Sequence, residues 1–131
     1  MIEGIVLAGG KASRMKRNKM LLQYKGKPII YHTVNSMFTY CNKITIVTGY
    51  YDLSYKDELS EFKNIEIVHN DDHEMGMFSS IKRAVKNVNN DIFLIPGDYP
   101  LVKANTYKKL LDGDGPIRVP VFLGRRGHPI F

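Results

Sequence analysis

The sequence has no tryptophan, a single cysteine and no long hydrophobic run. One cysteine cannot form an internal disulfide, and Cys41 has no partner at metal-ligand spacing, so we expect a free thiol that is buried or half-buried. The apolar start of the chain is too short to span a bilayer, and it lacks the basic leader and cleavage pattern of a signal peptide. We therefore expect a cytoplasmic protein with no membrane partner.

Acidic residues are outnumbered by basic ones, which leaves a formal net charge of +6. The basic residues crowd one early segment and are Lys11, Arg14, Lys16, Arg17, Lys19, Lys25 and Lys27. Such a cluster suits a phosphate-rich ligand. Nucleic acid is not expected, because the cluster interleaves with glycines rather than aromatic residues and no nucleic-acid-binding motif accompanies it.

The length of 131 residues, with 44% hydrophobic residues, predicts one globular domain covering 1–131. No internal repeat, low-complexity tract or linker divides the sequence. The final residues, H-P-I-F, read as the beginning of another strand. We therefore expect the domain to be incomplete and to lack its C-terminal part.

Short β-branched runs alternate with helix-like stretches and predict βαβ units with a mainly parallel sheet. The runs cover residues 5–7, 44–47, 65–68 and 92–95. The runs around Ile5 and Ile92 are continuously apolar, which is typical of central strands, whereas I-E-I-V at 65–68 suits an edge. A last strand, I-R-V-P-V-F, is predicted at 117–122.

Helices are predicted between these strands from their punctuation and periodicity. They run from Pro28 to about Tyr40, from Asp52 or Ser54 to about Phe62, from about Phe78 onward, and from about Lys103 to Leu111. In the third, we expect one apolar stripe made of Ile81, Ala84, Val85 and Val88.

The segment L-A-G-G-K-A-S-R-M-K-R-N-K directly follows the first strand. Gly9 and Gly10 allow close backbone approach, so that free N–H groups after Leu7 can cradle phosphate oxygens. Arg14 can fork across two phosphate oxygens, and Lys19 offers a movable point charge. The segment matches neither the P-loop nor the dinucleotide-binding motif. A glycine turn followed by a solvated basic loop is an equal alternative on these residues alone.

A carboxylate follows the fourth strand in F-L-I-P-G-D-Y-P. Ligands bind at the carboxyl ends of parallel strands, so Asp98 is well placed to hold Mg²⁺ against phosphates. The alternative is that Asp98 only caps a turn.

Two further segments carry candidate polar contacts. In N-D-D-H-E-M-G-M-F-S-S, Gly76 permits close approach, and Ser79 or Ser80 either binds a ribose or phosphate oxygen or caps the helix. The residues Asp71, Asp72, His73 and Glu74 are interpreted as a solvated acidic stretch rather than a metal site. In G-R-R-G-H-P, Arg125 and Arg126 can pair with phosphate oxygens, while His128 is either a contact or a turn residue.

Together these segments resemble the MobA/MocA-like NTP transferases, which include molybdenum cofactor cytidylyltransferases and guanylyltransferases. The family signature L-A-[AG]-G-x-x-x-R-M-G-x-x-K is matched at Gly9, Gly10, Arg14, Met15 and Lys19, with Lys16 in place of a common glycine. G-D-x-P is matched at Asp98, and N-x-x-x-x-x-G-M-x-x-S-[IL] at Asn70, Gly76, Met77 and Ser80. The segment G-x-R-G-H-P is matched near the end of the chain.

The resemblance implies a three-layer α/β/α, Rossmann-like fold of the nucleotide-diphospho-sugar transferase type. It also implies an Mg²⁺-dependent enzyme that transfers NMP from an NTP to the phosphate of molybdopterin and releases pyrophosphate. The implied catalytic residues are Arg14, Lys19 and Asp98, with Asp98 as the metal ligand. The implied nucleotide-binding residues are Leu7, Ala8, Gly9, Gly10, Lys19, Asn70, Gly76 and Ser80. The implied acceptor-binding residues are Arg125, Arg126 and His128.

The nucleotide and the activity keep alternatives at this point. L-A-G-G resembles the guanylyltransferases, while G-D-Y-P with G-R-R-G-H-P resembles the cytidylyltransferases, so CTP is favoured and GTP comes next. The alternatives in function are an NTP-binding module without catalytic competence, and a related nucleotidyltransferase that acts on another phosphorylated small molecule.

Overall fold

A computed structural model describes residues 1–10, 18–50 and 55–131. The strands are β1 (Ile2–Ala8), β2 (Gln23–Tyr24), β3 (Lys27–Pro28), β4 (Lys43–Thr48), β5 (Ile65–His69), β6 (Asp91–Pro96), β7 (Val121–Phe122) and β8 (Arg125–Arg126). The α-helices are α1 (Ile29–Phe38), α2 (Met77–Val85) and α3 (Ala104–Leu111), and two 3₁₀ helices cover Lys19–Leu21 and His73–Met75. In the described part of the chain, no helix has the length and hydropathy needed to cross a membrane.

Four parallel strands form the main sheet, in the order β5, β4, β1, β6. The edge position predicted for residues 65–68 is therefore confirmed. Of the two strands predicted to be central, β1 lies inside the sheet, whereas β6 is the last parallel strand. An isolated antiparallel bridge flanks β6, where Leu94 and Ile130 exchange backbone hydrogen bonds of 2.8 and 2.9 Å.

Helices cover both faces of this sheet. Successive side chains of a strand point to opposite faces, and in these strands the side chains on both faces are largely apolar. On one face, Val6, Ile46 and Ile95 pack with side chains of α1 and α3. On the other, Ile5 and Leu7 pack with α2. The three-layer α/β/α fold predicted from the sequence is confirmed.

The helix predicted to run through Phe62 is wrong for the residues that the structure describes. Residues 56–61 form turns, and the proposed caps Asp52 and Ser54 lie outside the described ranges. Tyr55 and Leu59 are nevertheless buried in the core. Burial of these two side chains prevails over local helix propensity, which is a weak determinant of structure.

Smaller corrections concern the ends of elements. The strand predicted at 117–122 is reduced to β7, which pairs with β8 in a hairpin. Helix α1 ends at Phe38 rather than near Tyr40. In α2, Ala84 is buried as predicted, but Val85 is 37% exposed because it lies outside the narrow stripe that faces the sheet.

Candidate functional site

A cleft of about 530 Å³ lies at the carboxyl edge of the parallel sheet, where open α/β sheets bind ligands. Its walls come from the loops that follow β1, β4, β5 and β6, together with the 3₁₀ helix after residue 18 and the start of α2. The lining residues are Leu7, Gly9, Gly10, Asn18, Lys19, Met20, Tyr50, His73, Glu74, Gly76, Met77, Ser80, Pro96 and Asp98.

The glycine loop after β1 meets the loop after β4 at very close range. The backbone N–H of Tyr50 donates to the carbonyl oxygen of Gly9 at 3.2 Å. A Cβ atom added to Gly49 would lie 2.7 Å from that oxygen and 2.6 Å from the Cβ of His73. Only a residue without a side chain fits there, and sequence reasoning missed Gly49. The signal was present, because T-G-Y directly follows a strand.

The predicted phosphate-binding residues around this loop have different positions. Leu7, Gly9 and Gly10 line the cleft, whereas Ala8 is buried in the core and does not. The predicted Arg14 lies outside the described ranges, as do Lys11, Met15, Lys16 and Arg17. Their roles stay predictions.

Lys19 is the first residue of a capped 3₁₀ helix. The Oδ1 of Asn18 accepts a hydrogen bond from the N–H of Met20 at 3.1 Å, and its Nδ2 donates to the hydroxyl of Tyr55 at 2.6 Å. This anchoring directs Lys19 to the cleft, where its Nζ lies 3.1 Å from Oδ2 of Asp98. Both side chains are partly exposed, so the pair is accessible to a ligand.

Asp98 is positioned through Gly97 rather than by a loose turn. The N–H of Gly97 donates to the carbonyl oxygen of Leu7 at 2.9 Å, and its carbonyl oxygen accepts from Oγ1 of buried Thr33 at 2.7 Å. A Cβ atom at Gly97 would lie 2.8 Å from the sulfur of Met20. The strand, the helix α1 and the Lys19 helix therefore all fix the place of the carboxylate.

The donor chemistry of the cleft suits a metal ion that arrives with phosphates. In the ranges described, no group of three or more His, Cys, Asp or Glu side chains could hold a metal ion. Mg²⁺ is typically bound through one or two carboxylates, with phosphate oxygens and waters completing its coordination. Asp98 fits that pattern, which needs no larger protein cage.

Asn70 is buried and organises the loop after β5 instead of lining the cleft. Its Nδ2 donates to the Oγ atoms of Ser79 and Ser80 at 2.9 and 3.0 Å, and its Oδ1 accepts from the N–H of Asp72 at 3.1 Å. The predicted role of Asn70 as a nucleotide contact stays a prediction. The contacts of the described residues give it a positioning role.

Neither serine caps α2 through its side chain. Gly76 occupies the N-cap, with φ of 95°, and no side-chain bond caps the helix. The hydroxyl of Ser79 instead donates to backbone carbonyl oxygens of Asp72 and Gly76. Ser80 and Gly76 both line the cleft, and their role as nucleotide contacts stays a prediction.

The interpretation of residues 71–74 as a solvated stretch is confirmed for Asp71, Asp72 and Glu74, which are exposed, whereas His73 is half-buried. His73 and Glu74 line the cleft, because the 3₁₀ helix His73–Met75 turns them toward the glycine loop. Asp71 is exposed and lies 3.5 Å from His69. Periodicity cannot reveal this arrangement, since it depends on how a loop closes over a neighbouring strand.

Arg125 and Arg126 are exposed on strand β8 and do not line the cleft. The chain that follows them pairs antiparallel with β6 at Ile130. Because the pairing is antiparallel, the residues between β8 and Ile130 lie toward the carboxyl end of β6. The hairpin that carries the two arginines thus lies at the same edge of the sheet as the cleft.

His128 joins this hairpin to the Asp98 loop. Its ring packs edge-on against Tyr99, with 5.2 Å between centroids. Burial lowers the pKa of His128, which favours the neutral imidazole. His128 therefore has a packing role, because it contacts Tyr99, the residue that follows Asp98. The predicted contact of His128 with the acceptor stays a prediction.

Comparisons with known proteins agree with this geometry. A family model described as MobA-like NTP transferase domain matches residues 4–131. The molybdenum cofactor cytidylyltransferase of Escherichia coli is 34% identical over 132 residues, which cover 98% of this chain and 68% of the relative. A probable molybdenum cofactor guanylyltransferase of Thermococcus sibiricus is 32% identical over 102 residues, covering 76% of this chain and 49% of the relative.

Solved structures show the same fold. A nucleotidyl transferase from Methanothermobacter thermautotroptrophicus has a TM-score of 0.80 at 24% identity, over 99% of this chain and 70% of that one. A CMP:2-keto-3-deoxy-manno-octonic acid synthetase complexed with CTP has a TM-score of 0.69 at 18% identity, over 85% of this chain and 46% of that one. The family match and the sequence relatives establish that this chain belongs to the MobA-like NTP transferases, a family of nucleotidyltransferases.

Proposed function

We propose that this protein transfers a nucleoside monophosphate from CTP, or next from GTP, to the phosphate of a molybdopterin-type acceptor and releases pyrophosphate. The observation that carries the proposal is the Lys19–Asp98 pair, which lies in one cleft with the glycine loop. A cation, a carboxylate and free backbone N–H groups are the groups that a metal-bound triphosphate requires.

The reaction needs no covalent intermediate with the protein. An oxygen of the acceptor phosphate attacks the α-phosphorus in line and forms a new P–O bond, while the bond to the bridging oxygen of the β-phosphate breaks. Lys19 and Arg14 neutralise charge on the triphosphate, and the glycine loop orients it. Positioning and preorganised electrostatics supply most of the rate.

Mg²⁺ belongs to this proposal as the metal cofactor, with Asp98 as its protein ligand. When bound, it neutralises phosphate charge and polarises the α-phosphate. The pairing of Asp98 with Lys19 keeps the carboxylate beside the cation that faces the same phosphates.

The acceptor is proposed to bind from the side of the β7–β8 hairpin. Arg125 and Arg126 are exposed at the same sheet edge and suit a phosphate that approaches the cleft. His128 packs against Tyr99 and ties this hairpin to the Asp98 loop. The acceptor and the metal-holding carboxylate would thereby keep a fixed spacing.

CTP is preferred over GTP in the proposal because of the relatives. The cytidylyltransferase relative aligns over 98% of this chain, compared with 76% for the guanylyltransferase relative. A thermal-shift comparison of CTP, GTP, ATP and UTP with Mg²⁺ tests the preference, since a selective ligand stabilises the fold by mass action. Equal shifts for all four nucleotides would remove the cytidylyl assignment.

Activity is tested by pyrophosphate release from the same four nucleotides, with Mg²⁺ and molybdopterin. We expect release that depends on the acceptor and is lost with EDTA. Nucleotide binding without acceptor-dependent release would favour an NTP-binding module without catalytic competence. Release with a different phosphorylated acceptor would favour a related nucleotidyltransferase.

A further inference from the structure

The order of the strands gives the cleft two chemically different ends. Asp98 follows β6 and Glu74 follows β5, and these strands are separated by three strand spacings. At about 4.8 Å per spacing, strands β5 and β6 themselves lie roughly 14 Å apart. The Lys19–Asp98 pair occupies the β6 end, so a nucleotide with its triphosphate there extends its base toward β4 and β5.

The end of the cleft formed by the loops after β4 and β5 suits a planar base. Tyr50 and His73 are edge-on to each other, with ring centroids 6.2 Å apart, and both line the cleft. Met77 adds an exposed thioether side chain. The faces of aromatic rings and a polarizable sulfur give apolar contact to any base.

Glu74 is, with Asp98, one of the two acidic residues among the described residues that line the cleft, and it lies at this end. Its ionised carboxylate only accepts hydrogen bonds. Among the described residues, none forms a hydrogen bond or ion pair with this carboxylate. Two hydrogen bonds fix the backbone on either side of Glu74. The N–H of Met75 donates to the carbonyl oxygen of Asp72 at 2.8 Å, and the N–H of Gly76 donates to the carbonyl oxygen of His73 at 3.3 Å.

We infer that Glu74 accepts a hydrogen bond from the exocyclic amino group of the base and thereby selects cytosine over uracil. Cytosine presents an amino group at the position where uracil presents a carbonyl oxygen. That oxygen would face the carboxylate as a second acceptor, with no proton between them. Adenine and guanine also carry amino groups, so this contact separates cytosine from uracil and does not by itself choose among CTP, ATP and GTP. The inference rests on the proposed function and deepens it.

The test is direct titration of CTP and UTP, each with Mg²⁺, into the protein and two variants. Glu74→Gln offers both an amide N–H and a carbonyl oxygen, so it can bind either base. We expect the unchanged protein to bind CTP about tenfold more tightly than UTP, and Glu74→Gln to reduce that ratio to within about twofold. Asp72→Asn is the matched control, because it removes a charge from the same loop at a residue that does not line the cleft; it should retain the tenfold ratio.

The outcomes separate the two proposals. Tight CTP binding with an unchanged CTP-to-UTP ratio in Glu74→Gln would overturn the role of Glu74 and leave the proposed function intact. An equal loss of the ratio in Asp72→Asn would also overturn it, because the effect would then be general electrostatics. A protein that binds none of the nucleotides would refute the proposed function itself. Glu74 is exposed, so thermal unfolding of Glu74→Gln should match that of the unchanged protein.

Discussion

At the scale of single residues, Lys19 separates function from stability. Its side chain is half-exposed and its ion pair with Asp98 contributes at most about 1 kcal/mol to the fold. Removing a cation that faces the triphosphate should raise the free energy of the transition state by more than it lowers the free energy of unfolding. We expect Lys19→Ala to reduce turnover by about 10²-fold or more, with little change in the free energy of unfolding.

Lys27→Ala is the control for this variant, because Lys27 also forms an exposed ion pair, with Glu61 at 3.4 Å, and does not line the cleft. Its turnover should be unchanged. Near-normal turnover of Lys19→Ala at saturating substrate would end the role given to Lys19.

Gly49 is a residue at which any side chain is expected to disturb both the fold and the site. Its added Cβ would meet the backbone of Gly9 at 2.7 Å and cannot be relieved by a rotamer change. We expect Gly49→Ala to lose about 1–3 kcal/mol in urea unfolding and to weaken nucleotide binding. In contrast, Gly10→Ala enters open space and should leave the unfolding free energy nearly unchanged. Equal free energies of unfolding for Gly49→Ala and Gly10→Ala would contradict this expectation, because the loops after β1 and β4 would then move apart at little cost.

At the scale of elements, the Asn70 side chain joins the loop after β5 to helix α2. Replacement by alanine leaves the buried hydroxyl of Ser80 without its donor. We expect Asn70→Ala to cost about 1–3 kcal/mol and to speed hydrogen exchange in residues 72–76. Asn90→Ala is the comparison, since the amide of Asn90 makes an exposed bond to Glu3. Similar exchange in both variants would contradict the positioning role.

The elements themselves were predictable where one local signal dominated. The strands β1, β4 and β6 are apolar β-branched runs, and a glycine-rich turn ends α3, so the sequence located each of them. Residues 55–62 were not predictable, because Tyr55 and Leu59 are buried through contacts with distant parts of the chain. Only the first strand of the β7–β8 hairpin is predicted from the sequence, because the turn that joins the two strands has a left-handed Leu123 as well as a glycine.

At the scale of the whole molecule, two acidic side chains packed in or against the core, Cys41 and Tyr107, should make the protein less stable at alkaline pH. Burial raises the pKa of Cys41 from its ordinary 9.0 to about 12 and that of Tyr107 from 10.0 to about 12. Between these values the folded protein keeps protons that the unfolded chain releases. The contribution of these two groups to the free energy of unfolding should therefore be constant below about pH 9 and fall as pH rises toward 12.

Cys41→Ser tests this assignment, because serine does not titrate in that range. Urea unfolding across the alkaline window should show the loss beginning only near the ordinary pKa of tyrosine, 10.0. An identical pH profile in the variant and the unchanged protein would mean that Cys41 does not contribute. The predicted free and partly buried thiol is confirmed by its position against the core.

The sequence by itself determined the fold class and the family, since these depend on residues that are close along the chain: apolar runs, glycine pairs and short motifs. It also provided Lys19 and Asp98 as candidates. Only the tertiary structure decided which groups meet: Lys19 with Asp98, Gly49 with Gly9, and Glu74 with the cleft. Parallel strands bring their carboxyl ends to one edge from separate parts of the chain. No local pattern records that convergence, so the composition of the site had to come from the folded molecule.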